Sequence, residues 1–116
     1  TTALRDFTLL VNPNLTLSYH SKGEEIYWFF YQDKDKIKRD FRIAKQLKRT
    51  TGYKVKTLFD STGGYKDWCI EKLKIPSFTI EVGSDSLMHP IKEESIAKIY
   101  KQNRKVIKVL TESKWI

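Results

Sequence analysis

The 116-residue chain is predicted to be an α/β protein in which a sheet lies between helices. Segments with apolar residues at helical spacing alternate along the chain with short runs of β-branched and aromatic residues. Hydrophobic residues make up 40% of the chain and aromatic residues 13%, which is enough for one core, and no repeat or linker divides the sequence. We therefore expect a single domain over residues 1–116.

A helix and two strands are predicted at the start of the chain. The segment 2–12 places Leu4, Phe7, Leu10 and Val11 on one side of a helix that Asn12-Pro13-Asn14 ends. The runs 15–21 and 25–31 predict two strands, because both are rich in β-branched and aromatic residues and Lys22-Gly23-Glu24 between them is a turn signal.

The middle of the chain predicts a second helix and a third strand. The helix extends from about Asp35 to Thr50, and Gly52 caps its carboxyl end. Residues 53–59 then form a strand or a strand-like segment. The residues expected on the buried side of the helix are Ile37, Phe41, Ile43, Ala44 and Leu47.

The remaining elements are a loop at 60–64, a helix at 65–73, a strand at 77–82 and a terminal helix near 93–110. Strands and helices thus continue to alternate to the end of the chain. This alternation is what favours the α/β class over an all-α or all-β fold.

The net charge of +8 raises the question of a nucleic-acid partner. The basic residues of 33–49 and 98–108 are interleaved with apolar positions at helical spacing, as on the solvated faces of amphipathic helices. We therefore expect no nucleic-acid partner, and a basic nucleic-acid-binding domain is the less favoured alternative.

No apolar run approaches membrane-spanning length and no signal peptide is evident, so no membrane partner is expected. The single Cys69 excludes a thiolate metal cluster and indicates a buried thiol or a reducing compartment.

Two polar residues stand at the ends of predicted strands, where the sites of α/β proteins collect. His20 ends the strand 15–21, and Glu81 ends the apolar strand 77–82. A buried carboxylate needs a partner, a proton or a task. An imidazole can bind zinc and a carboxylate can act as a general base, although a structural His and an ion-paired Glu are the commoner arrangements.

Three segments around these residues, "LSYHSKGEEIYW" (17–28), "STGGYKDWCIEKLKIPSFTIEVG" (61–83) and "HPIKEESIAKIYKQN" (89–103), resemble the C-terminal half of the zinc carboxypeptidase family. The similarity is to its bacterial branch of γ-D-glutamyl-L-diamino acid endopeptidases, which cut cell-wall peptides. It implies the C-terminal portion of a carboxypeptidase-like α/β/α sandwich with a mixed sheet. It also implies a bacterial protein, located in the cytoplasm or at the cell wall, that acts on peptidoglycan-derived peptides.

The resemblance also implies roles for individual residues. His20 corresponds to the family's third Zn²⁺ ligand, and Glu81 to its general base and acid. Ser21 falls where the family lines the substrate cleft, and Gly64, Tyr65 and Lys66 fall on the segment that shapes the pocket for the leaving residue. Lys66 occupies the specificity position, where a cation suits a diaminopimelate-type residue with an extra carboxylate. The alternative for Lys66 is an exposed position on its helix without contacts.

Other residues in these segments have simpler interpretations. Asp67 would help the first turn of its helix, and Trp68 would belong to the core. Trp28 is ambiguous between core and site. Phe59 stands where the family has a mobile Tyr, so a phenolic hydroxyl is missing there unless Tyr53 or Tyr65 substitutes for it.

The upstream part of the family's site has no counterpart in the chain. Neither His20 nor His89 is followed three residues later by Glu, so two zinc ligands are absent, and so is the segment with the substrate-binding Arg. Because the chain begins at Thr1 rather than Met, we expect it to be a portion of a longer enzyme. Because the two zinc ligands are absent, we expect this portion to be inactive on its own. A metal-free binding or regulatory module is the alternative. The strand 15–21 would then be an unprotected edge, which predicts a homodimer through Leu15 to His20 or through the apolar surface beside this edge.

Overall fold

The computed structural model describes residues 1–59 and 63–112 of the chain. Its centre is a four-stranded mixed sheet in the order β1-β4-β2-β3. β1 runs parallel to β4, β2 runs antiparallel to β4, and β3 runs parallel to β2. The strands are Thr16–Ser21 (β1), Glu25–Tyr27 (β2), Lys54–Lys56 (β3) and Ser77–Val82 (β4). The predicted α/β fold with a mixed sheet is therefore confirmed.

The helices begin and end at residues that the sequence marks. In α1 the Thr1 hydroxyl accepts a hydrogen bond from the Leu4 amide, and Asn12 closes the helix in a left-handed conformation. In α2 the same closure is made by Gly52, with φ of 80°. The helices are Thr2–Val11 (α1), Lys34–Thr51 (α2), Tyr65–Trp68 (α3), Ile96–Asn103 (α4) and Val106–Glu112 (α5). A single π-helical turn, Cys69–Leu73, continues α3, and a 3₁₀ turn, Glu93–Ser95, precedes α4.

The two faces of the sheet have different coverings. The face with Ile26, Phe78 and Ile80, all fully buried, packs against α2, which itself packs against α5. Burying side chains of this size stabilises the fold by about 1.5–3 kcal/mol each. α3 contacts β1 and β4, and it borders the opposite, more polar face of the sheet. The core therefore lies between the sheet and the α2/α5 layer, and the polar face lies toward α3.

Strand β2 is shorter than the predicted 25–31 because side chains take over its backbone hydrogen bonds. The Gln32 amide accepts from the Phe30 N–H at 2.8 Å and donates to the Trp28 carbonyl at 2.9 Å. Tyr31 has a φ of 52°, which a strand does not accommodate. β3 is also shorter than its predicted range of 53–59.

Helical periodicity overstated the regularity and burial of three helices. The predicted terminal helix 93–110 is a 3₁₀ turn followed by two α-helices, and turn residues at 104–105 separate these. Three residues of α2 are fully buried as expected: Ile43, Ala44 and Leu47. Phe41, in contrast, is 40% exposed, and its ring contacts the Trp28 ring. In α1, all four apolar residues on the predicted side are substantially exposed. No helix in the described ranges is long and apolar enough to cross a membrane.

Candidate functional site

A cavity of about 390 Å³ opens on the polar face of the sheet, beside the start of α3. Strand alternation creates this face, because Ile26 and Ile80 point to the core and their chain neighbours point the opposite way. Five of the residues predicted from the sequence line the cavity: His20, Gly64, Tyr65, Lys66 and Glu81. The segments that supply them are far apart in the chain and meet here.

His20 and Glu81 are direct neighbours across the parallel strands β1 and β4. Burial raises the pKa of Glu81 above its ordinary value, the nearby His20 opposes this rise, and the Glu25 carboxylate adds to it. A carboxyl group with a raised pKa takes up a proton at higher pH than a solvated one. Glu81 is therefore suited to accept and return a proton in the cavity.

A second acidic group, Glu25, stands next to Glu81 across the antiparallel strands β2 and β4. The Tyr27 hydroxyl donates a hydrogen bond of 3.0 Å to one Glu25 oxygen, and the Lys56 ammonium lies 3.5 Å from the other. Burial, this hydrogen bond and the surrounding carboxylates raise the pKa of Tyr27 to about 12. Tyr27 is therefore a hydrogen-bond donor in the cavity at neutral pH.

Lys66 is held inside the cavity wall by two acceptors. Its ammonium donates to the Phe29 carbonyl at 2.8 Å and to the Asp67 carboxylate at 2.6 Å. The side chains of Lys66 and Asp67 are only 12% and 4% exposed. The alternative in which Lys66 lies on an exposed helix face without contacts is therefore wrong, and Asp67 does more than assist a helix turn.

Tyr65 connects the cavity to α1. Its hydroxyl lies 2.8 Å from the Thr8 hydroxyl, and its ring stacks on the half-buried Trp68 at 6.3 Å. Burial is the main cause of the raised pKa of Tyr65, to which Cys69 also contributes, while Thr8 opposes the rise. Trp68 is thus a stacking partner of a cavity residue and not a core residue.

The structure separates two other residues from the cavity. Ser21 follows His20 on β1 and does not line the cavity, since successive side chains of a strand point to opposite faces. Tyr53 is buried in the core, where its hydroxyl binds Gln102, so it is not placed to supply a phenol to the cavity. Phe59 is exposed, and its ring lies against Phe29, which itself lines the cavity.

Several polar residues of this region were not predicted from the sequence. They are Ser18, Tyr27, Lys56 and Thr79, which line the cavity, and Glu25 beside Glu81. The signal was present, because Glu25 and Tyr27 flank Ile26 in the alternating pattern of a strand with one polar face. Because the residues that follow, 28–31, are all aromatic, the alternation of polar and apolar residues is not recognisable beyond Tyr27. Trp28, in contrast, is a core residue whose indole N–H donates to the Thr57 hydroxyl at 3.0 Å.

The described residues do not by themselves fit a zinc ion. Within residues 1–59 and 63–112, no three His, Cys, Asp or Glu side chains come together as a possible metal site. Protein zinc sites ordinarily use at least three such ligands. Of the two histidines, His20 lines the cavity.

No protein-family model matches the chain. The chain is 33% identical over 91 residues to gamma-D-glutamyl-L-diamino acid endopeptidase 1 of Lysinibacillus sphaericus, a match that covers 78% of this chain and 22% of that protein. It is 28% identical over 90 residues to the uncharacterized protein YqgT of Bacillus subtilis, covering 76% of this chain and 23% of that protein. The chain therefore spans less than a quarter of the length of these curated relatives. It is a distant, partial relative of an endopeptidase.

Proposed function

We propose that the chain forms the part of a bacterial peptidoglycan hydrolase that carries the general base and the pocket for the leaving residue. The bond cleaved would be the γ-D-glutamyl-diamino acid bond of cell-wall peptides. The observation that carries this proposal is the pairing of His20 with Glu81 in one cavity with Gly64, Tyr65 and Lys66. The partial similarity to an endopeptidase supports it.

Glu81 would serve as the general base and general acid in this reaction. Its raised pKa favours uptake of a proton from the attacking water, and the same carboxyl would return that proton to the leaving amine. Glu25 stands beside it, and Tyr27 and Lys56 hold the Glu25 carboxylate. The Lys56 ammonium faces the cavity as a donor to a bound peptide, and the Tyr27 oxygen, whose O–H is donated to Glu25, can accept a hydrogen bond there.

Lys66 would select the leaving residue. An ammonium group has three N–H donors, and among the described residues two of them reach Phe29 and Asp67. The third can meet a carboxylate in the cavity. A diaminopimelate-type residue offers such a carboxylate at the end of its side chain, whereas lysine does not.

The described residues could supply only part of a zinc site. His20 would be one of its ligands, and the other ligands would have to come from outside the described residues. When bound, zinc would supply a polarised water and carbonyl. The assigned roles of Glu81 and Lys66 depend on the side chains that the structure shows.

The test uses the full-length protein that contains this segment and two substrates, a γ-D-Glu-diaminopimelate peptide and its γ-D-Glu-lysine counterpart. Glu81→Gln should lower kcat by roughly 100-fold or more, since it keeps the shape of the side chain but removes its basicity. The double variant Lys66→Met/Asp67→Leu removes the cation without leaving a buried carboxylate, so it should raise KM for the diaminopimelate peptide and leave that for the lysine peptide nearly unchanged. Exposed Glu94→Gln is the matched control and should retain normal turnover. Near-normal turnover by Glu81→Gln would contradict the assignment of the base.

A metal-free binding module is the second candidate, because no metal site forms among the described residues. Calorimetry on the 116-residue chain separates the two functions. The hydrolase proposal expects weak zinc binding through His20, and no turnover by this chain alone. Tight binding of the diaminopimelate peptide that a chelator leaves unchanged, together with a full-length protein that hydrolyses neither peptide, would favour the binding module.

A further inference from the structure

One side of α2 carries a continuous positive stripe that the cavity does not use. The stripe consists of six exposed residues, Lys34, Lys38, Arg42, Lys45, Lys48 and Arg49. At 100° per residue they fall within an arc of about 120°, and at 1.5 Å per residue they extend over about 22 Å. The buried residues Ile43, Ala44 and Leu47 point to the other side of the helix.

Among residues 1–59 and 63–112, acidic side chains do not neutralise the stripe. The ion pairs that α2 makes with described residues are Lys36 with Asp35 and Arg39 with Asp40, and none of these residues belongs to the stripe. In the part of the chain that the structure describes, no stripe residue makes an ion pair. The described acidic groups therefore leave the positive charge of the stripe uncompensated.

The stripe is not explained by the stability of the helix. Its members lie three or four residues apart, and like charges at that spacing repel each other and destabilise a helix. Lys48 and Arg49 gain from the dipole at the carboxyl end, but Lys34 stands at the amino end, where a cation is disfavoured. A surface selected only for solubility would mix both signs of charge.

The positive surface continues onto the next helices. α5 packs against α2, and Arg104, Lys105 and Lys108 are exposed in and just before α5. The basic residues of both helices therefore belong to one layer of the fold. This layer covers the core face of the sheet, and the cavity opens on the opposite face.

We propose that this stripe binds a linear, flexible polymer that carries a phosphodiester in each repeat and has no bases. Lys and Arg side chains neutralise phosphates, and a row of cations about 22 Å long complements a row of phosphates. The polymer would hold the protein near its substrate while leaving the cavity accessible.

Two other polyanionic partners fit the stripe less well. Single-stranded nucleic acid is bound on exposed aromatic platforms, and Phe41, the one aromatic residue of α2 itself, already contacts the Trp28 ring and the Lys45 ammonium. A helix that lies in a lipid surface inserts apolar side chains as well as using its charge, and the apolar face of α2 is buried in the core.

The test measures binding of the 116-residue chain to an end-labelled synthetic poly(glycerol phosphate) by fluorescence anisotropy. The stripe variant is Lys38→Gln/Arg42→Gln/Lys45→Gln. The matched control, Lys54→Gln/Lys72→Gln/Lys92→Gln, removes the same net charge from exposed lysines outside α2. Gln is as good a helix former as Lys, and loss of the like-charge pairs should leave the stripe variant with an equal or higher Tm.

We expect the stripe variant to lose at least about tenfold in affinity, and the control to change by less than about threefold. If four or more phosphates are contacted, the logarithm of the affinity should fall with the logarithm of salt concentration at a slope of about −3 or steeper. Equal losses in the two variants, or no measurable binding at about 50 mM salt, would overturn the proposal. Tighter binding to single-stranded DNA of equal charge, or to anionic lipid vesicles, would assign the stripe to those partners instead. None of these outcomes depends on hydrolytic activity.

Discussion

Replacing either member of the Lys66–Asp67 pair should destabilise the chain far more than replacing both. The pair is almost entirely removed from water, and its hydrogen bond is short at 2.6 Å. Asp67→Leu leaves a buried ammonium with the Phe29 carbonyl as its acceptor, and Lys66→Met leaves a buried carboxylate without its cation. In each case one desolvated charge has lost its partner.

The size of the effect follows from the burial of the two side chains. Removing one partner of a buried pair costs about 3–5 kcal/mol, and replacing both by apolar groups is often neutral. Because the Lys66 side chain retains 12% exposure, we expect each single variant to lose about 3 kcal/mol. The double variant Lys66→Met/Asp67→Leu should lose about 1 kcal/mol or less.

Urea denaturation of the four proteins, followed by circular dichroism, measures this cycle. The Asp35–Lys36 pair is the matched control, since its atoms are 3.4 Å apart but the Asp35 side chain is 73% exposed. Its cycle should show no coupling beyond experimental error. If the single variants at Lys66 and Asp67 also changed the free energy of unfolding by small, additive amounts, the pair would be exposed to solvent in solution. The placement of this pair in the buried wall of the cavity would then be wrong.

Two further predictions concern pH and association. Because the pKa of Glu81 is raised in the fold, the ionised form costs stability, so Glu81→Gln should have a higher Tm than the parent chain at pH 7. That difference in Tm should shrink as the pH falls through the raised pKa and vanish below the ordinary pKa of 4.5. A Tm difference that does not depend on pH would show that ionisation of Glu81 is not its cause. The edge strand β1 should pair with a second copy of the chain, so sedimentation velocity should show dimers that Tyr19→Lys dissociates and Tyr100→Lys, a similarly exposed control, does not. A monomer at high micromolar concentration would contradict this.

The elements with clear end signals were predictable from the sequence. α1 and α2 end where Asn12 and Gly52 adopt left-handed conformations, and β4 has the predicted bounds Ser77–Val82. Elements were not predictable where their ends depend on a hydrogen bond to a side chain or to a residue far away in the sequence. The premature end of β2 depends on the side-chain amide of Gln32, and hydrophobic periodicity contains no information about that contact.

Burial was harder to predict than helicity. The spacing of apolar residues in α1 gives a helix but does not say what covers it, and Phe7 and Leu10 are 62% and 83% exposed. Phe41 has the spacing of a core residue but lies at the margin of the core, against Trp28 and Lys45. Periodicity identifies a face of a helix, whereas burial also requires a partner element at the right distance.

The carboxylate at the end of β4 shows how much of the site follows from local pattern and how much needs the register of the sheet. Its position at the end of an apolar strand was sufficient to mark Glu81 as needing a partner or a task. Its neighbours follow only from the strand order β1-β4-β2, which places His20 on one side and Glu25 on the other. One neighbour lowers the pKa of Glu81 and the other raises it, after burial has made the largest change. The protonation of the proposed base therefore depends on three strands together.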